Sequence, residues 1–202
     1  MKCLILLTLA FTQAACQNVN HQTINETTQK DSTMDIFDKE RFNAGQIEGE
    51  FTFVLDDSTE VRQWVSAPTH YVEQQMKPNS PYTSYKEYHY GSGFLKISGR
   101  LFYDFPTGNW LEYDDRGSRI AETNHDARYA FSLQDLDKKM QTLNVNIMLK
   151  QNGVEVLRTD AGDPKYTVLY PINKLNPYDV NQLIIDGGTG ETLETSTVKR
   201  RN

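Results

Sequence analysis

The sequence predicts an α+β fold, mostly an antiparallel β meander with one main helix packed on a C-terminal sheet. Three observations carry this expectation. Short runs alternating apolar and polar residues recur between turns rich in Asp, Asn and Gly. An aromatic pattern repeats, with Tyr85 and Trp110 standing 25 residues apart. Only the segment opening at Ser132 combines a helix start signal with an apolar stripe at helical spacing.

The chain begins with an address. Met1-Lys2 precede an apolar run from Cys3 to Phe11, and Thr12-Gln13-Ala14-Ala15 close it with small residues. A basic tip, a short apolar core and a small-residue cut site form the layout of a secretory signal, so residues 1–15 are expected to be removed. The run is about half of the roughly 20 residues that a membrane-spanning helix needs. Small residues followed directly by Cys16 resemble the lipobox of bacterial lipoproteins, although Gln13 stands where that family usually carries an aliphatic residue. Looser lipoboxes of this kind occur among Bacteroidetes-type bacteria. The resemblance implies that Cys16 becomes the lipidated, palmitate-bearing N-terminus and anchors the protein in the cell envelope, at the outer membrane, facing either the periplasm or the surface. With Cys3 gone, Cys16 is the one cysteine of the mature chain, so disulfides are excluded. The alternative is an ordinary cut near Ala15 and a soluble exported protein.

Residues 16–35 are polar and aperiodic and read as a flexible tether. Asp31-Ser32-Thr33 within it resembles the O-glycosylation signal of Bacteroidetes exported proteins.

Residues 36–128 form a β-rich region. Glu50–Leu55 and Glu60–Val65 flank Asp56-Asp57-Ser58-Thr59, which predicts a hairpin with Phe51, Phe53, Leu55 and Val61 on alternating positions. Pro68, Pro78 and Pro81 then predict an irregular connection as far as Tyr82. Next, Tyr85-Lys86-Glu87-Tyr88-His89-Tyr90 enters the Gly91-Ser92-Gly93 turn, and Trp110-Leu111-Glu112-Tyr113-Asp114-Asp115 enters Gly117-Ser118. Both copies run aromatic-x-Glu-Tyr into a Gly turn and an aliphatic strand, which predicts stacked hairpins. The stretch Gly99 to Gly117 resembles the repeats of MORN-like, YwqK-type proteins, whose common form is G-x-W-x-x-Y-x-x-x-G. That resemblance covers residues 85–124 with about one and a half units. It implies an antitoxin-like, non-enzymatic role. Tyr85, Tyr88, Tyr90, Trp110 and Tyr113 are the candidate binding surface, with strand alternation placing some of them in the core instead.

Residues 129–202 are the α+β part. Ser132 and Asp135 form a capping-box pattern, and Leu133, Leu136, Met140 and Leu143 make one stripe, ending near Thr142–Asn144. Val145–Leu149 and Val154–Arg158 around Asn152-Gly153 predict a hairpin. Tyr166–Tyr170, Leu183–Asp186 and a strand after Asp186-Gly187-Gly188-Thr189-Gly190-Glu191 complete the sheet. Helix-then-meander with this late Asp…Thr-Gly-Glu resembles the PepSY module of exported bacterial proteins. It implies a regulator or inhibitor of an exported hydrolase.

The chain carries a net charge of −6, and loss of Lys2 makes the mature form −7. An acidic balance argues against nucleic acid as partner and permits a basic protein partner. His21, His70, His89 and His125 show no metal-ligand spacing, and Asp56-Asp57, Asp114-Asp115 and Asp160–Asp163 lack the spaced ligands of a calcium loop. No nucleophile elbow or core cysteine is present, and His125-Asp126 beside Asn124 reads as a loop former. The sequence therefore points to a protein without metal or cofactor, bound to a membrane by lipid and to an unidentified protein, with catalytic residues absent. A secreted hydrolase is the least favoured of the three readings.

Overall fold

The Asp56–Thr59 turn closes as its chemistry dictates. Ser58 takes a positive φ of 65°, Asp57 Oδ1 accepts from the Thr59 N–H at 3.0 Å, and the Leu55 N–H donates to the Thr59 carbonyl. The flanking segments are β1 (Glu50–Val54) and β2 (Glu60–Ser66), paired antiparallel. In the computed structural model the described residues are 35–66, 69–150, 153–159, 161–173 and 176–199. The signal segment, Cys16, the tether up to residue 34, Pro68, Asn152, Asp160 and the basic tail at 200–201 lie outside them.

Five further strands extend this sheet: β3 (His70–Met76), β4 (Tyr82–His89), β5 (Leu95–Phe102), β6 (Phe105–Tyr113) and β7 (Arg119–Asn124). The order is β1 to β7 without a crossover, each strand antiparallel to the last. The expected meander is therefore present. A second antiparallel sheet, in the order β11-β10-β9-β8, comprises β8 (Glu155–Thr159), β9 (Lys165–Asn173), β10 (Asn176–Asp186) and β11 (Thr192–Lys199).

Three differences from the sequence expectation have physical causes. The connection after Pro68 contains a full strand, β3. Its Tyr71 and Val72 are consecutive and both buried, one on each face of the sheet, so the alternation that marks a one-sided strand is missing. Val145–Leu149 is a loop and not a strand: Val145 and Ile147 are buried and plug the core from irregular backbone, while Asn144 turns the chain at φ 58°. There are also two helices among the described residues. α1 (Lys39–Gly45) is capped by Asp38, whose carboxylate accepts from the Arg41 N–H, and buries only Phe42. Seven residues with one buried anchor leave almost no periodic signal. α2 (Leu133–Gln141) follows its capping box, Ser132 Oγ accepting from the Asp135 N–H at 3.2 Å. Leu133, Leu136 and Met140 are buried, whereas Leu143 lies past the helix end and is 45% exposed.

Among the described residues, two apolar clusters hold the fold. Phe102, Tyr103 and Phe105 from the β5–β6 hairpin join α2, Ile147 and the inward residues Val156, Tyr166, Val168, Leu183 and Ile185 of the second sheet. Residues on both sides of position 128 thus share one core. Phe37 and Phe42 pack with Tyr71, Tyr88, Val65 and Leu95 in the other cluster. The Asp186–Glu191 turn fits this packing. Asp186 Oδ1 accepts from the N–H groups of Gly188 and Thr189, and Gly190 (φ 78°) lies so close under the Phe131 ring that any Cβ would collide with it.

Candidate binding surface

Pairing register decides which face each residue meets. Tyr85 opposes Gly99 and Gln74; Glu87 opposes Ile97 and Val72; Val72 opposes Trp64. Tyr85, Glu87, Val72 and Trp64 therefore share one face of the seven-stranded sheet. Both apolar clusters draw their sheet residues from the other face. Trp110 lies flat over Gly99, where a built Cβ would fall 2.3 Å from the indole, so only glycine admits the ring. A register shift between Ser98 and Arg100 marks the same spot. The indole Nε1 donates to the Arg100 carbonyl at 3.3 Å, its ring stacks on Tyr85 at 5.3 Å, and the His125 ring meets it edge-on at 5.4 Å. The two repeat anchors, 25 residues apart in sequence, thus become neighbours across one glycine.

Beside this row sits a polar cluster. The Glu87 carboxylate accepts from Tyr85 OH at 2.9 Å and from Lys96 Nζ at 3.2 Å, and His70 Nε2 lies 3.5 Å away. Burial, reinforced by the Glu87 charge, pushes the Tyr85 hydroxyl well above its ordinary range, so it stays a neutral donor. Sequence reasoning missed Glu87, His70 and Lys96. Glu87 was accessible in principle, because it stands two residues after Tyr85 and so on the same face.

The other candidate residues go elsewhere. Tyr88 is a correction: it is only 2% exposed, on the opposite face, with its hydroxyl donating to Asp35 Oδ1 at 3.3 Å. Its position is three residues from Tyr85, an odd step on a strand. Tyr90 is 49% exposed and stacks on Tyr71 at 5.0 Å, apart from the Trp110 row. Tyr113 is half-buried, and its carbonyl accepts from His89 Nε2 at 3.1 Å.

The Asp126 carboxylate is committed to architecture. It accepts from Thr107 Oγ1, the Gly108 N–H and Arg158 Nη1, the last at 2.9 Å. The Arg158 side chain is 1% exposed and lies over the rings of Tyr129 (3.8 Å), Phe105 (4.7 Å) and Tyr166 (5.5 Å). Asp57 and Asp114 likewise cap their own turns. Among the described residues, no group of three or more His, Cys, Asp or Glu side chains is placed to hold a metal ion, and no helix is long and apolar enough to cross a membrane. No family model, curated protein or solved structure matches the chain.

Proposed function

We propose that the chain is an exported, non-enzymatic lipoprotein, held at the bacterial outer membrane through Cys16, that acts by binding another protein. One observation carries the binding reading. The Tyr85–Trp110–His125 row, with the Glu87 cluster beside it, lies on a sheet face that contributes nothing to either apolar cluster. Half-buried Trp and Tyr beside satisfied charges are the composition of a recognition surface. The resemblance to MORN-like, antitoxin-like repeats makes toxin neutralisation the favoured role. In the same reading α2 is the main helix of the C-terminal region.

The test has two arms. Cys16→Ser should release the protein from salt-washed membranes; retention would refute the anchor. Trp110→Ala should abolish capture of a partner from envelope and competitor extracts while leaving the circular dichroism spectrum unchanged. Undiminished capture by a folded Trp110→Ala protein would refute this surface. Capture of an exported hydrolase in place of a toxin would turn the reading to the PepSY-like regulator.

A further inference from the structure

We propose that the cavity between α1 and strands β1 to β4 binds a primary alkylammonium group. The cavity measures about 260 Å³ and lies on the sheet face opposite Trp110. It is independent of the surface proposed above.

Gln63 carries the argument. It is only 5% exposed and lines this cavity. Its Nε2 donates to Glu73 Oε2 at 2.6 Å, which fixes the amide orientation, because a carboxylate cannot donate to the amide oxygen. Oε1 is thereby left buried without any hydrogen-bond partner. An orphaned buried acceptor is destabilising and calls for a donor. Glu73 stands beside it, oriented by Gln75 Nε2 at 2.9 Å, and each of its oxygens keeps a free lone pair.

The charges facing the cavity are Asp35, Asp38, Glu73, Arg41 and Lys86, a net of one negative. Both cations are already engaged. Lys86 Nζ is paired with Asp35, and the Arg41 guanidinium lies 3.8 Å over the Phe53 ring. Gln63 Oε1 is thus left without a donor, and the Glu73 and Asp38 carboxylates, which accept only from amide N–H groups, are left without a cation, while Phe53, Val61 and Leu55 supply apolar wall. A group with several donors, a positive charge and an alkyl stem satisfies all of these; an anion or an apolar ligand satisfies none of the acceptors. A free alkylamine and the lysine side chain of a partner protein share this chemistry.

Nuclear magnetic resonance titration of the full chain at pH 7 tests the site, with n-butylammonium and Nα-acetyl-lysine-N-methylamide as probes. The matching norleucine derivative is the uncharged control. Both amines should produce saturable shifts centred on the Gln63 side-chain amide and Tyr88, and the norleucine derivative none. Tighter binding of the lysine derivative assigns the site to a protein lysine; tighter binding of butylammonium assigns it to free amines. Gln63→Leu, which removes the orphan, and the isosteric Glu73→Gln should each weaken binding by about tenfold or more. The proposal is overturned if neither amine saturates, which would leave solvent as the occupant, if norleucine matches lysine, or if both folded variants bind as before.

Discussion

Tyr85 and Tyr88 stand three residues apart on β4 and meet opposite surroundings. Tyr85 stacks on Trp110 over Gly99 and donates to Glu87, on the face that neither apolar cluster uses. Tyr88 is sealed under Phe37 and donates to Asp35. The same residue type in the same repeat thus serves a surface in one case and a core in the other. The difference teaches that aromatic content alone does not identify a binding face. Parity along the strand, together with what lies across it, decides which side of the sheet an aromatic residue meets.

Packing energetics offers the largest test of this contrast. Phe102 is fully buried in the shared core, so Phe102→Ala should cost about 3–5 kcal/mol. Trp110, half-buried on the other face, should cost only about 1–2 kcal/mol when cut to Ala, despite its greater size. Denaturant midpoints of the two variants decide the matter. Equal losses would erase the distinction between the faces.

An intermediate effect is expected at Asp126. Its removal leaves Arg158 caged by aromatic rings without its carboxylate. Because the Asp126 side chain is itself 40% exposed, Asp126→Ala should cost about 2 kcal/mol, less than a fully buried pair would. His125→Ala should cost less, since its backbone makes the hydrogen bonds to Gly108 and Arg158 that hold the loop. A midpoint unchanged in Asp126→Ala would free this carboxylate from its structural role and reopen the hydrolase reading.

The smallest effect concerns pH. The Thr189 and Gly188 N–H groups hold the Asp186 carboxyl below its ordinary range. A carboxyl lowered in the folded state stabilises the fold above the unfolded value, and that contribution is lost as pH falls through the folded one. Stability should therefore decline below about pH 4, and Asp186→Asn should flatten part of that decline in midpoint-against-pH curves. An unchanged slope would show that the Asp186–Glu191 turn is held by Gly190 under Phe131, without help from the carboxylate.

Much of the fold was legible because its signals are local. The Asp-Ser turn, the Ser132 cap and the paired Gly turns each act within a few residues. β3 escaped because a strand buried on both faces shows no alternation, and Val145–Leu149 misled because a buried loop carries the same apolar residues as a strand. At the candidate surface, the repeat spacing signalled Tyr85 and Trp110. Their contact required the register of β5, and above all the missing side chain at Gly99, which no periodicity reports. The Gln63–Glu73 pair was invisible for the same reason, since ten residues of sequence and a turn separate two side chains that only the β2–β3 register joins.

Asp35, the first described residue, bears on mechanics. Its carbonyl accepts from the Leu95 N–H, Phe37 donates to the Gly93 carbonyl, and its carboxylate is paired with Lys86. A pull applied through the chain before Asp35 therefore reaches the molecule at the β4–β5 hairpin, in the middle of the seven-stranded sheet, and bypasses the edge strand β1. Two backbone hydrogen bonds, an ion pair and the Phe37–Tyr71 stack share that load. Edge strands peel one bond at a time, whereas this attachment must yield several contacts together. Strain arriving from the N-terminal side is delivered to interior strands of the sheet, on the face opposite Trp110.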